Sequence, residues 1–427
     1  MSETATGRWS DPGIQVVLMG YSSGILAKLD SLLPAGSVVV VEEPEVIVTR
    51  GVIAATASST CVAFVEEAHI HDELGASDGV TRFVRPPGVR GVVGAVDYGV
   101  VWAAHLAELW GLPGLGAAGS ILFRDKALLR AAAESGGVPQ PQWALARTVD
   151  DARLFAGRFD GGVVVKPSNL QASVGVELVR DIATIDGAFA TAAAASEPKY
   201  RASTATASRV LIEQLVDGRE VSVEAFVSDG VVGFFNVTAK AVRAGRFPVE
   251  VGHTVPADDI SPECTDQLRS AVDTLVASTG VHTAVLHSEW IITDDGVWLV
   301  ECAARLPGDG IDQLISLAYD FDFVTAWLSL LTGADSPSPR VASRAAATSF
   351  ASQSATSQSA EAAEAAARQY PGIVSALVKA GDYSEQSVRD SGGRNCAVIA
   401  IGDTASQARE RALSALDALT SILRTAG

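Results

Sequence analysis

A chain of 427 residues, 48 % hydrophobic and 19 % charged, has enough apolar material for two to four packed domains. Its formal net charge of −18 argues against nucleic acid or an anionic membrane as the main partner, since either needs a basic face, but leaves room for a small anion at a local positive site. No run of about 18 apolar residues marks a membrane span, the N-terminal MSETATGRWSDPG lacks the apolar stretch of a signal peptide, and Cys61, Cys264, Cys302 and Cys396 form no CxxC pair. A disulfide framework or zinc site is therefore not expected, and a reducing cytoplasm is.

Taken in chain order, residues 14–19, 38–41, 61–65 and 91–96 are short apolar runs separated by helical stretches such as Tyr98–Trp110. Alternating strands and helices predict a parallel sheet covered on both faces, ending near Leu112-Pro-Gly-Leu-Gly116. A helix over Arg124–Ser135 is stopped by Gly136-Gly137 and Pro139. The grammar then changes to antiparallel strands at 162–166, 174–178, 209–214, 221–228, 231–238, 288–293 and 296–302. Turn signals such as Ser228-Asp-Gly230 and Asp294-Asp-Gly296 join them. Single helices are expected over 265–279 and 312–331. The polar stretch 333–345 reads as a boundary. Ser349–Arg368, rich in Ala, Ser and Gln, is either a flexible tether or a weakly amphipathic helix. A strand at 395–401 and a helix from Thr404, with Gln407 completing a capping box, end the chain.

Two motifs read as structure. Gly114-Leu-Gly116-Ala-Ala-Gly119 matches GxGxxG, but it follows four strands rather than one, so it reads as a connecting loop. His69-Ile-His71-Asp-Glu73 reads as a solvated loop, because positions i and i+2 do not share a helix face. A third set carries chemistry. Lys166 leaves a strand after three valines, and a lysine so placed wants an anion such as a phosphate. The loop from Pro167 to Gly175 is small and polar, suited to folding over phosphates. Glu213 and Gln214 end a strand beside apolar Leu215 and Val216, and Glu220 and Glu224 follow; acids there suit ribose and adenine, and the apolar pair suits the adenine face. Glu289 and Glu301 flank one hairpin and fall near each other across it. Adjacent carboxylates repel unless a cation intervenes, and oxygen ligands without His or Cys favour Mg²⁺. Arg305 offers a fork for a carboxylate or phosphoryl oxygen. An ion pair bridged by Arg305 with no metal explains the same spacing.

Together, Lys126, Val-Val-Lys166-Pro, Glu213-Gln214-Leu, Glu224, His287-x-Glu289 and Glu301-x-x-x-Arg305-x-x-Gly308-Asp309 resemble the ATP-grasp superfamily, in its carboxylate–amine ligase branch, which holds L-amino acid ligases and dapdiamide-type amide ligases. The resemblance implies an α/β and α+β architecture: an N-terminal Rossmann-like domain (1–120), a small subdomain with a phosphate-loop lid (121–207), a large subdomain with the metal site (208–335) and a C-terminal α+β subdomain (336–427). It also implies that Lys126 and Lys166 contact ATP and that the loop carrying Ser168, Ser173 and Val174 closes over the triphosphate. Glu213, Gln214 and Val216 would hold adenine, and Glu220 or Glu224 the ribose. Glu289 and Glu301 would ligate Mg²⁺ or Mn²⁺. Arg305 would steady an acyl phosphate, with His287 beside it. The region through Lys240, Glu250 and His253, with Gly308 and Asp309, would line the substrate site, against the alternative of a surface hairpin. The branch commonly has Asn where this chain has Ala303, so one metal ligand is missing. The resemblance implies a reaction that joins a small carboxylate to an amine, with amino acids the expected substrates and a homodimer an allowed assembly. The alternatives are a bicarbonate-activating carboxylase and a non-catalytic nucleotide-binding module.

Overall fold

The computed structural model describes residues 7–334 and 341–426. Residues 335–340 of the expected boundary, like the first six of the chain, lie outside them. Strands β1 (Val16–Met19), β2 (Val38–Glu42), β3 (Val62–Glu67) and β4 (Gly91–Gly94) pair in parallel in the order β3-β2-β1-β4. Their apolar runs are continuous because both faces are covered. Val16, Leu18, Val38 and Val40 join one core with helix Ser23–Leu32, while Val17, Met19, Val39 and Val41 join another with helix Val100–Leu109.

A second, antiparallel sheet has the order β5-β8-β6-β7, from β5 (Trp143–Ala146), β6 (Val163–Pro167), β7 (Glu177–Val179) and β8 (Val210–Gln214). Helices Val149–Ala156 and Ile185–Ala194 close its apolar side through Phe155, Ile185 and Ala188. The third sheet is the largest. It draws on β9 (Arg219–Ser228), β10 (Val231–Val242), β11 (Glu250–Val255), β12 (Ala284–Thr293), β13 (Gly296–Ala303) and β14 (Ala345–Ala351). After the short strand β15 (Gln353–Ala355), it gains β16 (Ile373–Val378) and, beyond β17 (Gly381–Ser384), β18 (Cys396–Gly402). The order is β13-β12-β9-β10-β11-β14-β18-β16; β15 and β17 pair separately. The β9–β10 turn has Asp229 at φ 50° and Gly230 at φ 77°, the two left-handed residues that a tight hairpin with right-handed twist requires.

Several expectations need correction. The helix expected over 312–331 is two, Ile311–Tyr319 and Phe323–Leu331, bent by 104° where Asp320 turns left-handed at φ 56°. Ser349–Arg368 is neither tether nor one helix: it finishes β14, forms β15 and then the helix Ser357–Ala367, capped by Thr356 and Ser359. The side chain of Thr404 accepts from Gln407 N as expected, but Gln407 Oε1 reaches back to Asp403 N, one residue early for a capping box. Strands β5, β11, β14, β15, β16 and β17 were not among those expected. Among the described residues no single helix is long and apolar enough to cross a membrane.

Candidate active site

A cavity of about 1280 Å³ opens between the three sheets. Lys166 and Glu213 reach it from β6 and β8; Lys240, Glu250, His253, His287, Glu289 and Glu301 reach it from the large sheet. On the large sheet, Glu289 and Glu301 are direct register partners on β12 and β13, so the hairpin does bring the two acids together. They are not bridged by Arg305. Lys240 Nζ lies 2.7 Å from Glu289 Oε1, His287 Nε2 lies 3.4 Å from the same oxygen, and Lys126 Nζ approaches Glu301 Oε2 at 3.2 Å. Burial opposes the charged form of Glu289, yet Lys240 and His287 hold its carboxyl well below the usual range. The contacts on Glu289 fall on Oε1 and that on Glu301 on Oε2, which leaves one oxygen of each as a donor for a hard cation. Ala303, register partner of His287, adds no side-chain donor.

Lys240 is the hub of this face. Its Nζ also meets Glu220 Oε1 at 2.5 Å and Glu250 Oε1 at 3.1 Å, and its side chain is 1 % exposed. Burial alone would lower its pKa, but three carboxylates hold it well above the ordinary lysine value. His287 is set the same way. Burial disfavours its charge, but Nδ1 lies 2.9 Å from Glu224 Oε1, and the two acids push its pKa up to about 9, so the ring is an imidazolium at neutral pH.

On the small sheet, Lys166 Nζ sits 2.8 Å from Glu213 Oε2, and Arg130 Nε holds Glu213 Oε1 at 2.7 Å. Burial opposes the charge of Glu213, but these two cations bring its pKa down to about 2. For Lys166, burial and the neighbouring Arg130 outweigh Glu213 and lower the pKa. Gln214, Val216 and Glu220 line the same cavity.

The 168–175 loop joins β6 to β7 with Ala172 at φ 56°, Ser173 at φ 59° and Gly175 at φ 74°. Lys126 Nζ donates to Leu170 O at 2.6 Å, Ser173 Oγ to Pro248 O at 3.2 Å and Ser391 N to Ala172 O at 3.1 Å, so the loop is tied to three parts of the chain. Of the loop residues expected at the triphosphate, Ser173 lines the cavity. Ser168 does not: it is fully buried, donating to Asp125 Oδ2 at 3.1 Å. Val174 is also absent from the lining.

Glu224 needs correction as a ribose ligand. It is fully buried off the cavity, its oxygens taken by Ser222, Asn236, Thr238 and His287. The surface-hairpin alternative for Lys240, Glu250 and His253 also fails, because all three lie on inner strands of the large sheet. Asp309 and Gly308 line the cavity, and Asp309 is held by Arg394 Nη2 at 2.8 and 2.9 Å and by His253 Nε2 at 3.2 Å. Arg305 lines it too, with Nε 2.9 Å from Asp97 Oδ2. The His69–Glu73 segment is not a solvated loop: His71 and Glu73 are buried, and Arg124 Nε pairs with Glu73 Oε1 at 2.6 Å. Sequence reasoning missed Arg130, Asp97 and Arg394. An arginine on a helix, 83 residues from the acid it meets, carries no local signal.

Residues 160–312 match the family described as the ATP-grasp domain. This stretch is similar to an ATP-grasp domain. The ATP-grasp fold is shared with an L-amino acid ligase from Bacillus licheniformis, at a TM-score of 0.73 and 17 % identity, covering 95 % of this chain and 97 % of that one. A carboxyaminoimidazole ribonucleotide synthase from Aspergillus clavatus, solved with ATP, gives 0.70 and 13 %, over 97 % of this chain and 100 % of the other. Among curated relatives, a phosphoribosylamine–glycine ligase of Lactococcus lactis is 27 % identical over 207 residues, 46 % of this chain and 48 % of its own. A carbamoyl phosphate synthase large chain of Mycobacterium sp. (strain JLS) is 25 % identical over 226 residues, 51 % of this chain and 19 % of its own. The chain thus spans at most about half the length of these two curated relatives.

Proposed function

We propose that this protein is an ATP-dependent ligase that activates a small carboxylate as an acyl phosphate and joins it to an amine, releasing ADP and phosphate. The observation that carries the reading is one cavity lined by Lys126, Lys166, Glu289, Glu301 and Arg305, drawn from separate elements. The likeness to an L-amino acid ligase along the whole chain favours an amino acid as acid, amine or both.

In the first half-reaction a carboxylate oxygen bonds to the γ-phosphorus while the bond to the ADP oxygen breaks. Phosphoryl transfer needs positioning and charge compensation more than covalent help. Lys126 and Lys166 supply positive charge from the small-sheet side, and Arg305 supplies a fork fixed by Asp97. Glu289 and Glu301 are the oxygen donors for Mg²⁺, which when bound neutralises phosphate charge and orients the transferring group. His287, charged below about pH 9, is a fixed cation beside Glu289 rather than a base. In the second half-reaction the amine nitrogen bonds to the carbonyl carbon, phosphate leaves, and the amine proton passes to solvent or phosphate. The mixed anhydride must be kept from water, which is the task of the 168–175 loop.

The test is phosphate release from ATP and Mg²⁺ across pairwise mixtures of amino acids and other small acids and amines, with products identified by mass spectrometry. Phosphate release that needs both an acid and an amine is expected, and Glu301→Ala and Lys166→Ala abolish it while the fold persists. Silence across the panel, release driven by bicarbonate alone, or full activity in both variants overturns the assignment.

A further inference from the structure

A second polar cluster lies beyond the C-terminal ends of β2 and β3, and Glu43, Glu45 and His69 are not among the residues that line the cavity. Glu43, Glu45 and His69 each offer a donor atom there, all within 4.8 Å of one another. Glu43 is fully buried. Its Oε1 lies 2.7 Å from His69 Nδ1, and its Oε2 accepts from His71 N at 3.1 Å. Glu45 Oε1 accepts from Ser203 Oγ at 2.6 Å. Among the described residues, neither carboxylate has an ion pair with a lysine or arginine, and the half-exposed His69 ring meets Glu43 alone of the two. Two buried atoms lack a hydrogen-bond partner. One is Glu45 Oε2, within the cluster. The other is His71 Nε2, on a ring 3 % exposed and stacked on Tyr98, where burial and the charge of Arg124 outweigh Glu45 and hold its pKa down to about 4.

Glu43, fully buried beside the part-exposed Glu45, is stabilised there by sharing a proton or a cation. Imidazole nitrogen beside carboxylate oxygen is the donor set of a divalent transition ion, whereas Mg²⁺ prefers oxygen alone. We propose that Glu43, Glu45 and His69 bind a divalent transition-metal ion of the Zn²⁺ or Mn²⁺ class, with His71 alongside. The site has a structural consequence. Ser203 and Thr204 donate to the same two carboxylates, and Glu197 of that segment receives Gln171 of the phosphate-loop candidate at 3.2 Å. The ion would therefore fasten the crossing between the small sheet and the N-terminal sheet.

The experiment uses the full chain carrying Glu289→Gln and Glu301→Gln, which removes the ATP-site carboxylates as competing ligands. After chelator treatment and buffer exchange it is titrated with ZnCl₂ by calorimetry, and bound zinc is measured by elemental analysis. Binding of about one equivalent is expected. Adding His69→Ala, a change at a half-exposed ring that the fold tolerates, weakens it about tenfold or more, and Glu45→Gln does the same. Circular dichroism melting shows that each variant is folded. No zinc retained by the chelated protein, the result of a Glu43–Glu45 pair that merely shares a proton, overturns the proposal. So does binding that His69→Ala and Glu45→Gln leave unchanged. None of these readouts depends on ligase activity.

Discussion

Replacing Lys240 with methionine keeps the length and apolar stem of the side chain and deletes one positive charge. In the wild type that charge touches Glu220, Glu250 and Glu289, whose oxygens lie within 4.8 Å of one another. Without it His287 still faces Glu289 at 3.4 Å, but Glu220 and Glu250 lose their ion pair. Removing one partner of a buried ion pair costs about 3–5 kcal/mol, because the remaining charge stays desolvated. With an unfolding entropy of about 2.1 cal/mol/K per residue over the chain, that is a fall in Tm of about 3–6 °C. The deficit has a signature. Crowded carboxylates in the variant have raised pKa values, so the loss is complete at about pH 8 and shrinks as protonation begins toward about pH 5. Mg²⁺ or Mn²⁺ restores part of the loss, since three carboxylates with no internal cation become a metal site. Differential scanning calorimetry at both pH values, with and without the ion, measures all of this. A variant Tm within about 1 °C of wild type at pH 8, or a deficit indifferent to both pH and metal, refutes the reasoning.

Further outcomes follow from the small sheet and the loop. The pKa of Glu213, near 2 in the fold, lies below its unfolded value, so its contribution to stability is present above about pH 4.5 and is lost as pH falls toward 2. Melting curves from pH 5 to 3 therefore fall less steeply for Glu213→Gln than for wild type, although the variant is less stable at neutral pH. Gly175→Ala puts a β-carbon 2.6 Å from Ala195 Cβ at a residue with φ 74°. It costs roughly 1–3 kcal/mol of loop geometry and raises the KM for ATP more than it lowers Tm, as paired kinetics and melting would show.

The chain's sequence made the parallel sheet readable because both faces of β1 and β2 are covered, which leaves unbroken valine runs between helices. The Asp-Gly turns marked the hairpins, since their left-handed positions demand such residues. The C-terminal third was harder to read. Ala345–Ala351 has no valine or isoleucine to signal a strand, yet it is buried against β11 and β18. The break at Asp320 was hidden because apolar spacing runs through it. Within the site, Glu289 and Glu301 were legible as neighbours because one short hairpin joins them. Lys240 was not legible as a hub, because its partners come from β9, β11 and β12, and a strand lysine ordinarily reads as solvated. Ser168 and Glu224 had the right types for nucleotide contacts. Only their hydrogen bonds to Asp125 and His287 reveal that they serve as framework.

The pairing of β11 with β14 makes the large sheet cross from the candidate metal site into the last hundred residues without an edge. A chain cut after residue 334 would lose the partner of Gly252–Val255 and display an open row of amide and carbonyl groups one strand away from Lys240. Such a row templates association with other chains. The final segment thus acts as a selvedge for the large sheet, and a fragment trimmed to the matched domain would be prone to stick to its own copies.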